Sequence, residues 1–426
     1  MAISNKIKIL NLSTCDYGGA GSATVVFNNF LNALGYDSTL MVRDSQGKKP
    51  GVITYNRRGT SYLTYKIKKI KFRKDLANWN RLCRKKMFVN NIVFDDQKTF
   101  STAQIIIKQL GFIPDLILLH WTHNFITPEI VADLKKMTNA KIVSVMMDNA
   151  ILTGGCHYPF DCLGYTNGCK KCPLFKLETS FPAEILSRKI DNYPVDMEFW
   201  GTTADCERAK KSLLGKNRGV YPILFPIDET IFPQKSKEDI REEYGVEPGR
   251  HLIMVGCTTF GAGDNRKGFE YLLSILLLIK ERAPELQKNI SIVVVGDNKE
   301  GILNKLGYDM IKLGFMPMAK LMEVYKMSDL FISTSVEDSG PLMVNQSIAI
   351  GTPVASFNIG VAEDLIEDGE TGLKANLYDF NTLANKIIEY LSLNRDYSSA
   401  CVEIYKKKRQ LMSPKLHIER ILKVKE

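Results

Sequence analysis

Two neighbouring carboxylates, Glu337 and Asp338, stand in a Ser-Gly-bearing loop between a β-forming run at Leu330–Ile332 and a helical pattern that opens near Leu342. A carboxylate in such a loop binds sugar hydroxyls, and the first N–H groups of the following helix favour a phosphate, because they lack intrahelical partners and carry the positive end of the dipole. Eight residues on from Glu337 and Asp338 stand two amides, Asn345 and Gln346. An amide still accepts one hydrogen bond and donates another. Upstream, VGCTTFGAGDNRKGFEYLL places Arg266-Lys267 just before a helical pattern starting at Gly268. Two cations at a helix entry suit a diphosphate. Gly18-Gly19-Ala20-Gly21 is a turn that lets the backbone approach a ligand, and Gly314-Phe315 follows another strand-like run. Cys156, Cys162, Cys169 and Cys172 put four of the nine cysteines in one short stretch beside His157. Four clustered thiols read as a tetrahedral zinc set, with free or redox-linked thiols as the alternative and an iron–sulfur cluster behind both.

The elements that must carry these residues alternate. Strand patterns at 6–12, 38–42, 116–120, 141–147 and 197–202 are separated by helical ones in the first half, and runs at 251–255, 291–296, 310–313, 330–333 and 353–357 repeat the scheme in the second. Alternating strands and helices argue for parallel sheets covered on both faces. Residues 15–21 are expected as a loop, followed by a helix over 22–34. Pro222, Pro226 and Pro233 punctuate an extended segment between the halves.

At 426 residues, with 45% hydrophobic and 24% charged residues, the chain has room for two or three ordinary soluble domains. It contains no apolar run of membrane-spanning length. The opening MAISNKIKILNLS leads directly into a strand pattern without a signal peptide's apolar region, so a cytoplasmic location is expected. The net charge of +10 is concentrated: residues 61–86 hold ten Lys or Arg against the single acid Asp75. Leu63, Ile67, Ile70, Phe72, Leu76 and Trp79 are spaced as the apolar stripe of a basic amphipathic helix. Its expected partner is an anionic membrane surface at the inner face of the cell membrane; a solvated helix packed on its own domain is the plain alternative. No nucleic-acid motif accompanies it, and nucleic acid is not an expected partner.

These features resemble the family 4 type of GT-B glycosyltransferases. The carriers are the acidic loop with Gly351-Thr352-Pro353-Val354, the Arg266-Lys267 pair, and the interdomain Pro226-Ile227-Asp228 with Phe232. The Cys-rich stretch is similar to an insert in a subset of bacterial surface-polysaccharide glycosyltransferases. The resemblance implies an α/β chain of two doubly wound Rossmann-like domains facing each other across a cleft. Residues 1–220 would form the acceptor-side domain, with the basic helix 61–86 and the Cys-rich insert 154–175. A linker at 221–236, a donor domain at 237–396 and C-terminal helices at 397–426 crossing back to the first domain would follow.

The implied activity is that of a retaining hexosyltransferase that moves a sugar from a nucleotide-diphospho-sugar to a saccharide or lipid-linked acceptor in surface polysaccharide biosynthesis. It needs no cofactor for catalysis, and zinc would be structural. Lys267 and Arg266 would neutralise the leaving diphosphate. Glu337, or Asp338 as its close alternative, would hold the hexose, and Gln346 the ribose. Gly19, Ser339, Gly340 and Leu342 would line the phosphates and sugar, while Gly314 and Phe315 would read the base. Asp148 would serve the chemistry and His157 the acceptor side. Three positions depart from the family pattern: the second Glu is Gln346, the histidine of a His-Asp pair is Met147, and an Arg after the strand is Cys257. Together they raise a non-catalytic partner subunit as an alternative. An epimerase of the same fold is poorly supplied, with five histidines in all.

Overall fold

The computed structural model describes residues 6–56, 70, 101–259, 265–297, 301–340 and 342–423, with the backbone alone at 257–259, 265 and 302. The basic segment 61–86 lies outside the described residues apart from Ile70, as do Gly261, Gly263 and Asp264. The chain divides into two compact units, one of Met1–Pro226 with Pro414–Glu426, the other of Ile227–Ser413.

The first unit is built on seven parallel strands: β1 (Lys8–Cys15), β2 (Asp37–Asp44), β3 (Val52–Thr54), β4 (Leu116–Leu119), β5 (Lys141–Val145), β6 (Glu198–Gly201) and β7 (Val220–Pro222). Their order is β3-β2-β1-β4-β5-β6-β7. Among the described residues they are connected by α1 (Gly18–Ala33), α2 (Ala103–Leu110), α3 (Pro128–Thr138), α4 (Phe181–Asn192) and α5 (Thr203–Lys211). The central strands are mostly buried because both faces are covered, as in Leu116–Leu119, where every residue is apolar and buried. One side packs around Leu10, Leu12, Ile117, Leu134 and Leu186, the other around Ile9, Phe27, Leu118, Val143 and Trp200.

The second unit carries six parallel strands, β8 (His251–Thr259), β9 (Ile290–Asp297), β10 (Asp309–Gly314), β11 (Leu330–Ser333), β12 (Val354–Phe357) and β13 (Gly372–Ala375), ordered β10-β9-β8-β11-β12-β13. Its helices are α6 (Lys237–Glu243), α7 (Phe269–Arg282), α8 (Pro284–Lys288), α9 (Met318–Met327), α10 (Leu342–Ala349), α11 (Val361–Leu365), α12 (Phe380–Ser392) and α13 (Ser398–Leu411). Each sheet runs outward from its first strand in both directions. The strand order therefore reverses between β1 and β4 in one unit and between β8 and β11 in the other, and ligands bind at the carboxyl ends of strands at such a reversal.

Three expectations are corrected. The glycine turn is not a loop: Gly18 to Gly21 form the first turn of α1. The anticipated linker begins inside the first sheet, because Val220–Pro222 pairs with β6 as an edge strand, the one place in a sheet that tolerates a proline lacking N–H. The C-terminal segment divides: α13 stays with the second unit, and only α14 (Pro414–Lys423) belongs to the first.

The attachment of α14 is ionic as well as apolar. Glu198 accepts hydrogen bonds from Arg420 at 3.1 and 2.6 Å and from the Trp200 indole at 3.1 Å, and Lys141 lies 3.3 Å away. Burial works to raise its carboxyl, but Arg420, Trp200 and Lys141 outweigh that and hold it below the ordinary range. The Arg420 guanidinium also lies over the Tyr221 ring at 3.9 Å. Arg420→Ala is expected to cost roughly 2 kcal/mol in urea unfolding, below the cost of breaking a fully buried pair because Arg420 is partly exposed; an unchanged midpoint would remove this pair from the account of how α14 is held.

Candidate functional site

In the second unit the loops that leave β8 and β11 lie side by side at the strand reversal, and main-chain groups lock them together. Val336 N–H donates to Arg266 O at 2.8 Å, and the Thr334 hydroxyl donates to Lys267 O at 3.2 Å. Gly268 sits at φ +59°, and a Cβ there would lie 2.0 Å from Thr334 O, so glycine is required by both backbone conformation and space. The backbone contact thus fixes Arg266 and Lys267 on the turn that enters α7.

Asp338 joins both cations. Its Oδ2 accepts from Lys267 Nζ at 2.5 Å and from Arg266 Nη1 at 3.3 Å, while Gly340 N–H donates to Oδ1 at 3.4 Å. Burial pushes this carboxyl up, but Lys267 and Arg266 overcome it and hold it below the ordinary carboxylate range. Of the two acids left open by the sequence, Asp338 is the one engaged by the cations; Glu337 is buried in the same loop. Gly360 lets this loop pack closely, since a Cβ there would meet Asp338 O at 2.7 Å.

The remaining second-unit positions are dispersed around the carboxyl ends of the strands. Ser339 is buried and Leu342 opens α10. Gly314 ends β10 in a left-handed conformation, and Phe315 beside it is 72% exposed. Gln346 is turned into the helix packing: its Oε1 accepts from the Tyr325 hydroxyl at 3.3 Å, and its Nε2 approaches Met318 Sδ at 3.4 Å. Cys257 lies on β8, with its side chain outside the described atoms.

The first unit repeats the topology with different chemistry. At the end of β1, Asp16 is buried and accepts from Ser45 Oγ at 2.6 Å and Gln46 N–H at 2.9 Å, which fastens the 45–49 loop beside α1. Gly21 is needed because a Cβ would meet Cys15 O at 2.8 Å, whereas nothing lies within 4 Å of a Cβ at Gly19. The fold itself does not require a glycine at 19.

Beyond β4 and β5 the chain assembles a cavity of about 40 Å³ whose walls include His120, Trp121, His123, Met147, Asp148, His157 and Lys189. Asp148 Oδ2 is paired with His157 Nδ1 at 2.5 Å, and Ala150 N–H donates to Oδ1 at 2.8 Å. Burial opposes the Asp148 charge, but His157 and the Ala150 amide hold its carboxyl below the ordinary range. Met147 occupies the position before Asp148, and a histidine nine residues further on supplies the imidazole. Lys189, buried on α4, donates to Ala150 O at 2.6 Å and Thr153 O at 3.0 Å and so pins the segment after Asp148. Neither Lys189 nor His120 was singled out from the sequence; a lysine in an otherwise helical pattern gives no sign of burial.

The four cysteines occupy the loop that follows. Gly154 N–H donates to Cys169 Sγ at 3.3 Å and Gly164 N–H to Cys162 Sγ at 3.4 Å. All four are free thiols, and burial raises Cys156 well above its ordinary value. Amide-to-sulfur bonds suit a thiolate set, yet among the described residues no three His, Cys, Asp or Glu side chains are placed to share one metal ion.

Burial holds His120 at about 3, and burial together with His157 holds His123 at about 3, against an ordinary imidazole value near 6.5. The folded chain keeps both neutral where the unfolded chain protonates them. Their contribution is complete above the unfolded value and is lost as pH falls from about 6.5 toward 3. Stability is therefore expected to fall by up to about 2.7 kcal/mol per pH unit near pH 5 from these two groups. Urea unfolding across pH 7 to 5 measures that slope, and replacing either histidine by Gln should reduce it by about half.

Residues 237–409, most of the second unit, match the family model described as glycosyl transferases group 1. A D-inositol 3-phosphate glycosyltransferase of Pseudarthrobacter chlorophenolicus is 26% identical over 155 residues, 34% of this chain and 36% of that protein. An uncharacterized glycosyltransferase of Methanocaldococcus jannaschii, MJ1607, is 24% identical over 264 residues, 59% of this chain and 60% of that one. The chain thus spans about a third to three fifths of the length of these curated relatives. Among solved structures, Anabaena HepE in complex with UDP-glucose superposes with TM-score 0.62 at 12% identity, covering 98% of this chain and 99% of that one. Sucrose-phosphate synthase from Thermosynechococcus elongatus does so with TM-score 0.61 at 15% identity, covering 96% and 95%. At such identities the likeness shows the fold, which is GT-B, and the match to the glycosyl transferases group 1 model is confined to residues 237–409 of the second unit.

Proposed function

We propose that this chain transfers a hexose from a nucleotide-diphospho-sugar to a saccharide or lipid-linked saccharide acceptor, with retention of anomeric configuration. The observation that carries the reading is the Arg266–Lys267 pair held on the main chain at the entry to α7, at the strand reversal of a group 1 glycosyl transferase domain. Departure of the diphosphate places negative charge on its oxygens, and preorganised cations stabilise that charge more in the transition state than in the ground state. The bond from the anomeric carbon to the diphosphate oxygen breaks, the acceptor oxygen bonds to that carbon, and the acceptor proton passes to the departing phosphate. Asp338 keeps both cations oriented. Glu337 takes the hexose hydroxyls, Gln346 the ribose, Gly314 and Phe315 the base, and the first unit the acceptor, near Gly19, Asp148 and His157.

Contact with an anionic membrane rests on the charge of residues 61–86, and among the described residues no helix is long and apolar enough to cross a membrane. Surface polysaccharide synthesis at the inner face of the cell membrane is the setting this charge and a lipid-linked acceptor suit. A structural zinc in the four-cysteine loop would require the thiols to draw together on the ion. Metal analysis of purified protein decides it: about one zinc per chain supports the site, and none removes it.

The engagement of Gln346 with Tyr325 and Met318 favours a second reading, a subunit that binds nucleotide-sugar without turning it over. Transfer and binding separate the two. Lys267→Ala is expected to lower turnover by at least 100-fold, in line with removal of one preorganised donor to a developing anion. Unchanged turnover would sink the catalytic reading. Under the second reading nucleotide-sugars still stabilise the protein, by about 2.7 kcal/mol at 100 times the dissociation constant, with neither transfer nor hydrolysis detected.

A further inference from the structure

We infer that Cys162 and Cys169 are a reversible redox pair, which closes to a disulfide on meeting a small anionic disulfide such as oxidised glutathione and thereby shifts the hairpin that carries His157. The inference goes beyond the transfer reading and does not depend on it.

The loop is built to bring these two cysteines to one place. Cys162 N–H donates to Pro159 O at 2.9 Å, and Gly164 O accepts from Asn167 N–H at 3.1 Å and Cys169 N–H at 2.7 Å. Leu213 N–H donates to Tyr165 O at 3.2 Å and ties the turn to the segment after α5. Gly168 and Cys169 both stand in the left-handed region, at φ +98° and +54°, a conformation that cysteine seldom adopts. That reversal returns Cys169 to Gly164. A Cβ on Gly164 would lie 3.4 Å from Cys162 Sγ and 3.7 Å from Cys169 Sγ, so the two sulfurs border one gap that glycine leaves open.

Both thiols are partly exposed, whereas Cys15, Cys206 and Cys401 are buried. Lys170 and Lys171 next to Cys169 are exposed and offer cations to an anionic oxidant. Burial, and then Cys172, hold the Cys156 thiol well above its ordinary value, which leaves it a poor nucleophile. Burial also raises the Cys169 thiol, so the first attack falls to Cys162. Its thiolate attacks one sulfur of the small disulfide and expels one thiolate; Cys169 then loses its proton and attacks the Cys162 sulfur, expelling the second. Two protein thiols are oxidised to one disulfide, the small disulfide is reduced to two thiols, and the protons lost by the cysteines balance those taken up by the released thiols.

Closure reaches His157 through short contacts. Cys169 Sγ accepts from Gly154 N–H at 3.3 Å, and a Cβ on Gly154 would meet Cys169 Cβ at 2.9 Å, so no side chain cushions one from the other. Gly155 N–H donates to Thr153 Oγ1 at 3.2 Å, and that hydroxyl donates to Cys156 O at 2.7 Å. The next residue, His157, pairs with Asp148 at 2.5 Å, and its carbonyl accepts from Asn149 N–H at 2.9 Å. Drawing the sulfurs together to about 2.05 Å moves the acceptor on which this hairpin hangs.

Oxidised glutathione on the full folded chain tests this. After alkylation of free thiols, cleavage before Asp161 and after Lys170 gives a peptide whose only cysteines are Cys162 and Cys169. It is expected unalkylated and two hydrogens lighter, with both thiols restored by dithiothreitol. At a fixed level of reduced glutathione, half-closure should need at least tenfold less oxidised glutathione than in the chain unfolded in urea. Cys162→Ser and Cys169→Ser should each stop at a mixed disulfide with glutathione, and Cys172→Ser should leave closure intact. In imidazole NMR the His157 signal, identified by its loss in His157→Gln, should move on oxidation of the parent and stay in place in Cys162→Ser. Circular dichroism confirms that each variant is folded. The inference is overturned if both cysteines are alkylated, if either joins a different cysteine, or if the unfolded chain closes as readily. It is equally overturned if closure leaves the His157 signal unmoved, or if about one zinc per chain shields the thiols until a chelator removes it. Neither readout uses turnover, so failure here leaves the Lys267→Ala result untouched, and the reverse.

Discussion

The structure of the second unit turns on the contact between Gly268 and Thr334. Two strand-end loops approach so closely that no side chain can intervene, and the hydrogen bonds from Val336 to Arg266 and from Thr334 to Lys267 close the gap. Everything near that point inherits its position from backbone rather than from flexible side chains: the cationic pair, the start of α7, and the loop that carries Glu337 and Asp338. Lysine and arginine lose much rotamer freedom when held in one place. Here the main chain and the shared Asp338 carboxylate impose that order.

The two units answer the same topology with opposite electrostatics. The second gathers full charges, with a buried carboxylate kept ionised between a guanidinium and an ammonium. The first gathers imidazoles, two of which, His120 and His123, burial holds far below their ordinary protonation range. Strand order fixes where a site forms, at the reversal between the first strand and the fourth, and leaves its chemistry to the loops.

Much of the scaffold was legible because central strands of a parallel sheet are continuous apolar runs. Leu330–Ser333 and Ile290–Asp297 could hardly be anything else. What escaped was short or at an edge: Val52–Thr54, Val220–Pro222 and Gly372–Ala375 are three or four residues long, and one holds a proline. Gly18–Gly21 deceived because glycine signals a turn, while the close approach of Gly21 to Cys15 O needs one inside a helix. In the site, the cations before α7 were readable from local order. The pairing of Asp338 with them was not, since it joins residues 71 and 72 apart, and the Asn11–His120 bond spans 109. The family pattern located a missing histidine at Met147, but only the folded path of the cysteine loop returns one, His157, to Asp148.

The placement of α14 bears on how the protein is made. A ribosome releases the first 226 residues long before Arg420 and His417 exist, so during synthesis the nascent first unit holds Glu198 without its guanidinium and Trp200 without its covering imidazole. Domains ordinarily fold in the order in which they emerge. This one is closed by α14, after the intervening unit has been made. Loss of Pro414–Lys423 would therefore damage the unit encoded before it rather than the one it directly follows.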